Sequence, residues 1–150
     1  MRRALCALLL AFACQSQAVE TDVPRLREGT VRFQTPRGPW VVRVEIAAND
    51  ADRSRGLMFR RELPKDHGMV FVFDRAEPHT FWMHNTLISL DLIFIGEDRR
   101  VVGIVAAAPP QDDAPRGVAG ASRYVVEVGA GEAAAHGVGS GTQVAFIDVE

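Results

Sequence analysis

The chain has few of the residues that staple a fold or ligate a metal through sulfur. Its two cysteines, Cys6 and Cys14, both lie in the first eighteen positions. If those positions are removed on export, no thiol is left. That excludes a disulfide scaffold, a cysteine-ligated zinc site and a cysteine nucleophile. Lysine occurs once, at Lys65, beside sixteen arginines, a balance we read as genomic bias. No basic stripe interleaved with aromatics is found, so nucleic acid is not an expected partner. No apolar run reaches the roughly eighteen residues that a membrane span needs. Internal repeats and low-complexity tracts are also absent.

What is present is an ordinary folded composition. Apolar residues make up 47% and charged residues 24% of 150, which places the chain among single globular domains instead of disordered ones. The formal net charge is −2; beyond residue 18, 15 basic residues face 19 acidic ones. Met1 to Ala18 has the form of a signal peptide: Arg2 and Arg3, an apolar run from Ala4 to Ala13, then Ser16-Gln17-Ala18 with small residues at the two positions that signal peptidase reads. Export to the periplasm or beyond is the expectation. Ala11-Phe12-Ala13-Cys14 offers a competing lipoprotein box, with a lipid anchor on Cys14 as the alternative. Residues 19–28 are polar, contain Pro24 and read as a tether, leaving 29–150 as one domain.

From residue 29 onward, short alternating runs are separated by turn signals, the rhythm of an all-β sandwich or barrel. Strands are expected at 30–35, 40–46, 69–73, 80–84, 90–95, 101–105, 124–128 and 143–149. Pro36-Arg37-Gly38-Pro39 and Gly96-Glu97-Asp98-Arg99 are expected turns. Two short helices interrupt the series. One starts at Asp50 behind an Asn49 cap and is ended by Gly56; the other covers Gly131 to His136 and is closed by Gly137. Residues 106–122, rich in proline, glycine and aspartate, read as a long loop.

Three residue patterns invite chemical readings. Gly129-Ala130-Gly131-Glu132-Ala133-Ala134 matches a dinucleotide fingerprint in letters, but no doubly wound sheet fits after it, so a tight strand-to-helix turn is the better reading. Ser89, His84 and Asp91 resemble a nucleophile set without the elbow motif that would hold the serine. More informative is Phe81-Trp82-Met83-His84-Asn85-Thr86, followed by Asp91 and later Glu127, two acids in otherwise apolar strands. An unpaired buried charge is costly, so each needs a partner: a buried arginine such as Arg55 or Arg60, backbone amides, a metal or a ligand. Met58, Met69 and Met83 fall close to His67, His79 and His84. Thioethers with imidazole suit Cu(I), although methionine more often fills core gaps.

These blocks carry a family resemblance. Arg55-Gly56-Leu57-Met58-Phe59-Arg60, Gly68-Met69-Val70-Phe71-Val72-Phe73, Phe81 to Thr86 with Leu90-Asp91-Leu92-Ile93-Phe94, and Tyr124-Val125-Val126-Glu127 with Gly131 and His136-Gly137 resemble the signature of the domain of unknown function 192 family. The likeness runs from about Gly29 to Val149. It implies a compact β-sandwich or barrel of jelly-roll-like type, often behind a signal peptide, and it carries over no activity or ligand. Two departures stand out: His84 where the family pattern has lysine, and Ser89 where it has proline. Thr142 after Gly141 replaces the usual aspartate of the closing block.

The functional expectation is a non-catalytic exported module that binds a small ligand, an envelope glycan or a protein partner. Its site is expected among Trp82, His84, Asn85, Thr86, Asp91, Glu127, Arg55 and Arg60, with no cofactor. A hydrolase or lyase using Asp91 and Glu127 as acid and base is the first alternative. Copper or other metal handling through Met58, Met69, Met83 and His84 is the second. A structural or assembly role without any small-molecule site is the third.

Overall fold

The structure is a computed structural model that describes residues 25–150; the expected signal peptide and lipid-anchor cysteine, and the first part of the expected tether, lie outside the described residues. Where the tether is described it lies on the domain. Leu26 packs against the core, and the Arg27 carbonyl accepts from the Ile46 N–H at 2.9 Å.

Seven strands and two short helices follow: β1 (Glu28–Thr35), β2 (Gly38–Ala47), α1 (Asp50–Arg55), β3 (His67–Glu77), β4 (Leu90–Ile95), β5 (Val101–Ala108), β6 (Ser122–Gly129), α2 (Glu132–His136) and β7 (Gln143–Ile147). They form one sheet in the order β5-β4-β6-β3-β2-β1-β7, curled into a half-barrel. The expected all-β class holds, and of sandwich and barrel it is the barrel side that the curled sheet resembles. Every neighbouring pair is antiparallel except β2 and β3. At one end the β4–β5 turn reaches β7: the Val144 N–H donates to the Arg99 carbonyl at 2.8 Å, and the Val101 N–H to the Thr142 carbonyl at 2.9 Å.

The period-two alternation of β1 and β2 puts Val31, Phe33, Trp40, Val42, Val44 and Ile46 on one face. There they meet Val70, Ile93, Ile95, Tyr124, Val126, Val128 and Val144 in an inner core supplied by all the strands. Strands β3, β4 and β6 are buried on their other face as well. Met69, Phe71, Leu90, Leu92, Phe94 and Val125 build a second, outer core with Leu57 and Met83. That explains why β4 reads as an apolar run broken only by Asp91.

The cover over the outer core comes from connections. A parallel pair cannot be joined by a hairpin, so residues 48–66 cross over the outer face between β2 and β3. Asn49 caps α1 through the Asp52 N–H (3.0 Å), and Gly56, at φ +48°, ends it as expected. The expected strand at 80–84 is not one. Only Phe81 is bridged, to Arg116, because its partner is the loop 109–121 and not a sheet edge. That loop is bonded along its length: the Met83 N–H donates to Asp112 (2.8 Å), the Gln111 N–H to Thr86 (2.9 Å), and Phe81 and Arg116 exchange two bonds of 2.7 Å. The expected long loop is shorter than 106–122 because β5 continues to Ala108 and β6 begins at Ser122.

Among the described glycines, Gly68 leaves the least room for a side chain. A Cβ there would stand 2.1 Å from the backbone oxygen of Glu127 on β6. Gly68→Ala is therefore expected to destabilise the protein by at least about 3 kcal/mol, since backbone must move to admit the methyl. Chemical denaturation checks this; a midpoint within error of the parent would mean that the two strands are not held this close.

Candidate functional site

Asp91 and Glu127 share a sequence signature, an acid inside an apolar strand, but they have opposite surroundings. In the β4–β6 register Asp91 faces Val128, and Leu92 faces Glu127. Val128 belongs to the inner core and Leu92 to the outer one. The two carboxyl groups therefore leave the sheet on opposite faces. The expectation that they share a cleft, and with it the acid–base pair, is corrected by this register.

Asp91 is 1% exposed and fully engaged. It accepts from the Ala107 N–H at 2.8 Å, the Gly131 N–H at 2.9 Å and the Ala133 N–H at 3.1 Å. It thus caps α2 and pins the irregular end of β5, and charge-assisted bonds to three amides satisfy a buried carboxylate. The same contacts settle the Gly129–Ala134 run: Asp91 occupies the amides of a five-residue helix, between Gly131 at φ +88° and Gly137 at φ +75°.

Glu127 has none of this. It is 5% exposed, and it lies against Met69 of β3 and Leu92 of β4, both apolar. Its carboxyl is pushed up to about 8, and burial is the sole cause, with no charge or hydrogen bond among the described residues acting on it. At neutral pH it is largely a neutral acid.

The carboxyl stands at the floor of a cleft of about 380 Å³. Phe71, Phe73 and Phe81 wall it, with Leu57, Met58, His79, Thr80 and Thr86. Trp82 and α1 residues including Arg53 and Arg55 stand at the mouth. The rings are perpendicular: Phe71–Phe81 centroids lie 5.0 Å apart and Phe73–Phe81 6.5 Å, both at 86°. Gly56 is needed beside them because a Cβ would come 3.2 Å from the Phe71 ring. His79 stacks on Phe73 at 3.6 Å, and burial holds its imidazole below the usual value.

The remaining expected site residues divide. Trp82 (55% exposed), Thr86 and Arg55 do line the cleft. His84 is turned away to Asp113, with Nδ1 at 2.8 Å, and lies in tilted contact with Trp82. Asn85 adopts a left-handed turn at φ +53°, and its carbonyl accepts from the Phe59 N–H, a backbone role. Arg60 pairs with Glu45 at 2.6 and 2.5 Å, not with a buried strand acid. Met69 and Met83 are sealed in the outer core, and Met58 is at the cleft wall. No group of three or more His, Cys, Asp or Glu side chains able to hold a metal is found among the described residues. The sequence reading missed Phe71, Phe73, Phe81 and His79. The signal was there for two of them: Phe71 and Phe73 alternate with Met69, whose partner in register is Glu127.

The model of the DUF192 family, described as "Uncharacterized ACR", matches residues 32–146. A protein of unknown function from Novosphingobium aromaticivorans DSM 12444 superposes with a TM-score of 0.79 at 41% identity, covering 83% of this chain and 89% of that one. A Sinorhizobium meliloti 1021 protein described as a candidate transcription regulator superposes with a TM-score of 0.78 at 33% identity, covering 81% and 95%. A "UPF0127 protein" of Thermococcus sibiricus is 33% identical over 97 residues, which span 61% of this chain and 58% of that relative.

An acid without a partner weakens the fold that buries it. Glu127→Leu is expected to stabilise the protein by about 1–3 kcal/mol, because an unsatisfied polar group leaves an apolar surrounding. The pH dependence has a definite sign. The unfolded carboxyl loses its proton near 4.5 and the folded one near 8, so the native state holds more protons in that window and stability falls as pH rises through it. Melting of the parent and of Glu127→Leu between pH 5 and 8 should converge toward pH 5 and diverge toward pH 8, at about 1.4 kcal/mol per unit of difference at most. Parallel curves would mean that the carboxyl ionises normally.

Proposed function

The chain belongs to the DUF192 family, and we propose that it is an exported, non-catalytic module that binds a small organic molecule in the cleft lined by Glu127. The observation that carries the reading is a carboxyl group kept, without any partner, under a wall of phenylalanines. Packing gains nothing from it, since a leucine there would bury the same surface without the polar penalty. A ligand that meets the carboxyl gives it a partner. A cleft of about 380 Å³ suits a compact molecule, within the usual range for small-molecule sites.

Of the three kinds of partner, the small ligand fits best. A glycan would place several hydroxyls against Phe71, Phe73 and Phe81 and leave them unpaired. Catalysis by paired carboxylates has no support, because Asp91 is on the other face and committed to three amides. The metal reading has no supporting observation either: two of its four residues, Met69 and Met83, are sealed in the core. The description of the Sinorhizobium relative is not carried to this chain, whose net charge is −2 and whose sequence has no basic stripe.

Export rests on Met1 to Ala18. The expected mature protein begins at Val19 in the cell envelope fraction; an unprocessed chain in the cytoplasmic fraction would end that part of the reading. For binding, thermal melting against small apolar molecules with one polar group is the test. A ligand at a hundred times its dissociation constant adds about 2.7 kcal/mol, roughly 5–15 °C here. Met58→Trp, which fills the cleft from its wall, should remove the shift. A shift that survives that substitution would place the ligand elsewhere.

A further inference from the structure

We propose, building on the binding reading above, that the ligand is an organic ammonium ion whose charged nitrogen sits against the Glu127 carboxylate beneath the phenylalanine rings. A neutral ligand needs only a hydrogen-bonding partner, which an amide or hydroxyl side chain would supply at a lower desolvation penalty. A carboxyl group under aromatic rings is the choice that a positive charge requires, because both the carboxylate and the ring faces attract cations.

Three features of the cleft agree. The groups that meet Glu127 across the sheet, Met69 and Leu92, carry no charge, so the floor holds no cation of its own. One of these rings already takes a cation on its face: the Arg53 guanidinium lies over Phe73, 5.3 Å from its centroid. The positive groups at the mouth are held off or turned to other partners. Arg53 is tied to Asp50 (2.6 Å), the Ala48 carbonyl (2.8 Å) and the Val72 carbonyl (2.7 Å), and neither Arg53 nor Arg55 acts on the Glu127 carboxyl. The remaining titratable groups around the cleft are Asp50, already paired with Arg53, and His79, which burial keeps largely uncharged at neutral pH.

The association is a proton exchange as well as a binding event. Glu127 carries a proton at pH 7; the ammonium ion binds the carboxylate form, and that proton passes to bulk water. No covalent bond to the ligand forms or breaks. Affinity should therefore rise roughly tenfold per pH unit from pH 6 to 7 and level off near 8, where the free carboxyl is already ionised.

Isothermal titration calorimetry of the full chain with benzylamine, benzyl alcohol and benzoate separates the outcomes. These probes share a ring and differ in charge. The expected result is benzylammonium binding at least tenfold tighter than the alcohol, no binding of benzoate, and close to one proton released at pH 7 between buffers of different ionisation enthalpy. Glu127→Gln should remove the preference for the amine while leaving the alcohol unchanged. Phe81→Leu, which keeps the carboxyl, should weaken the amine more than the alcohol. Binding of the alcohol or benzoate as tight as the amine, sensitive to Met58→Trp, would overturn the ammonium proposal and leave the binding module standing. No heat from any of the three would count against both.

Discussion

One parallel pair governs the architecture. Five of the sheet's six neighbouring pairs are antiparallel, but β2 and β3, consecutive in the chain, run the same way and need a crossover. That crossover, residues 48–66, brings α1, Gly56, Leu57 and Met58 over the outer face of the sheet. Without it the outer sides of β3, β4 and β6 would be exposed, and their apolar runs would have no reason to exist. The second cover, the bonded pair of segments 78–89 and 109–121, closes over what the crossover leaves open. The cleft is the seam where the two covers meet, so its position is fixed by strand connectivity before any wall residue is chosen.

The two buried acids show how much a single register decides. Each carboxyl interrupts an apolar strand, and each would be scored alike from the sequence. One residue of offset sends Asp91 toward α2, where three amides wait, and Glu127 toward Met69 and Leu92, where nothing does. The first arrangement stabilises a charge with backbone dipoles. The second denies a charge any compensation and keeps the proton on. The same residue type thus stands in the sheet under opposite electrostatics.

Much of this was legible in the sequence. The alternation of Val31 and Phe33, and of Val42 and Val44, is a local period and survives in β1 and β2 unchanged. Asn49, Gly56 and Gly137 act at helix ends through their own side chains and dihedral angles, so their roles are readable in place. The parallel pairing was not legible, because the alternation within a strand records neither which strand lies beside it nor in which direction that strand runs. For the same reason 80–84 was misread as a strand: its composition suits one, but its neighbour is a loop. The cleft gathers side chains from α1, β3, the 78–89 segment and β6, a conjunction no single window contains. The purely backbone role of Asn85 and the pairing of Arg60 with Glu45 were hidden likewise.

The pairing of β1 with β7 has a consequence for how the molecule comes into being. Residues 28–35 find their second neighbour only at 143–147, and Val144 and Val149 complete the inner core around Val31 and Phe33. During synthesis the first strand leaves the ribosome long before that neighbour exists. The half-barrel is then open on one side, and its long-range contacts form late. The inner core around Val31 and Phe33 is therefore complete only when the last strand and the residues after it are available.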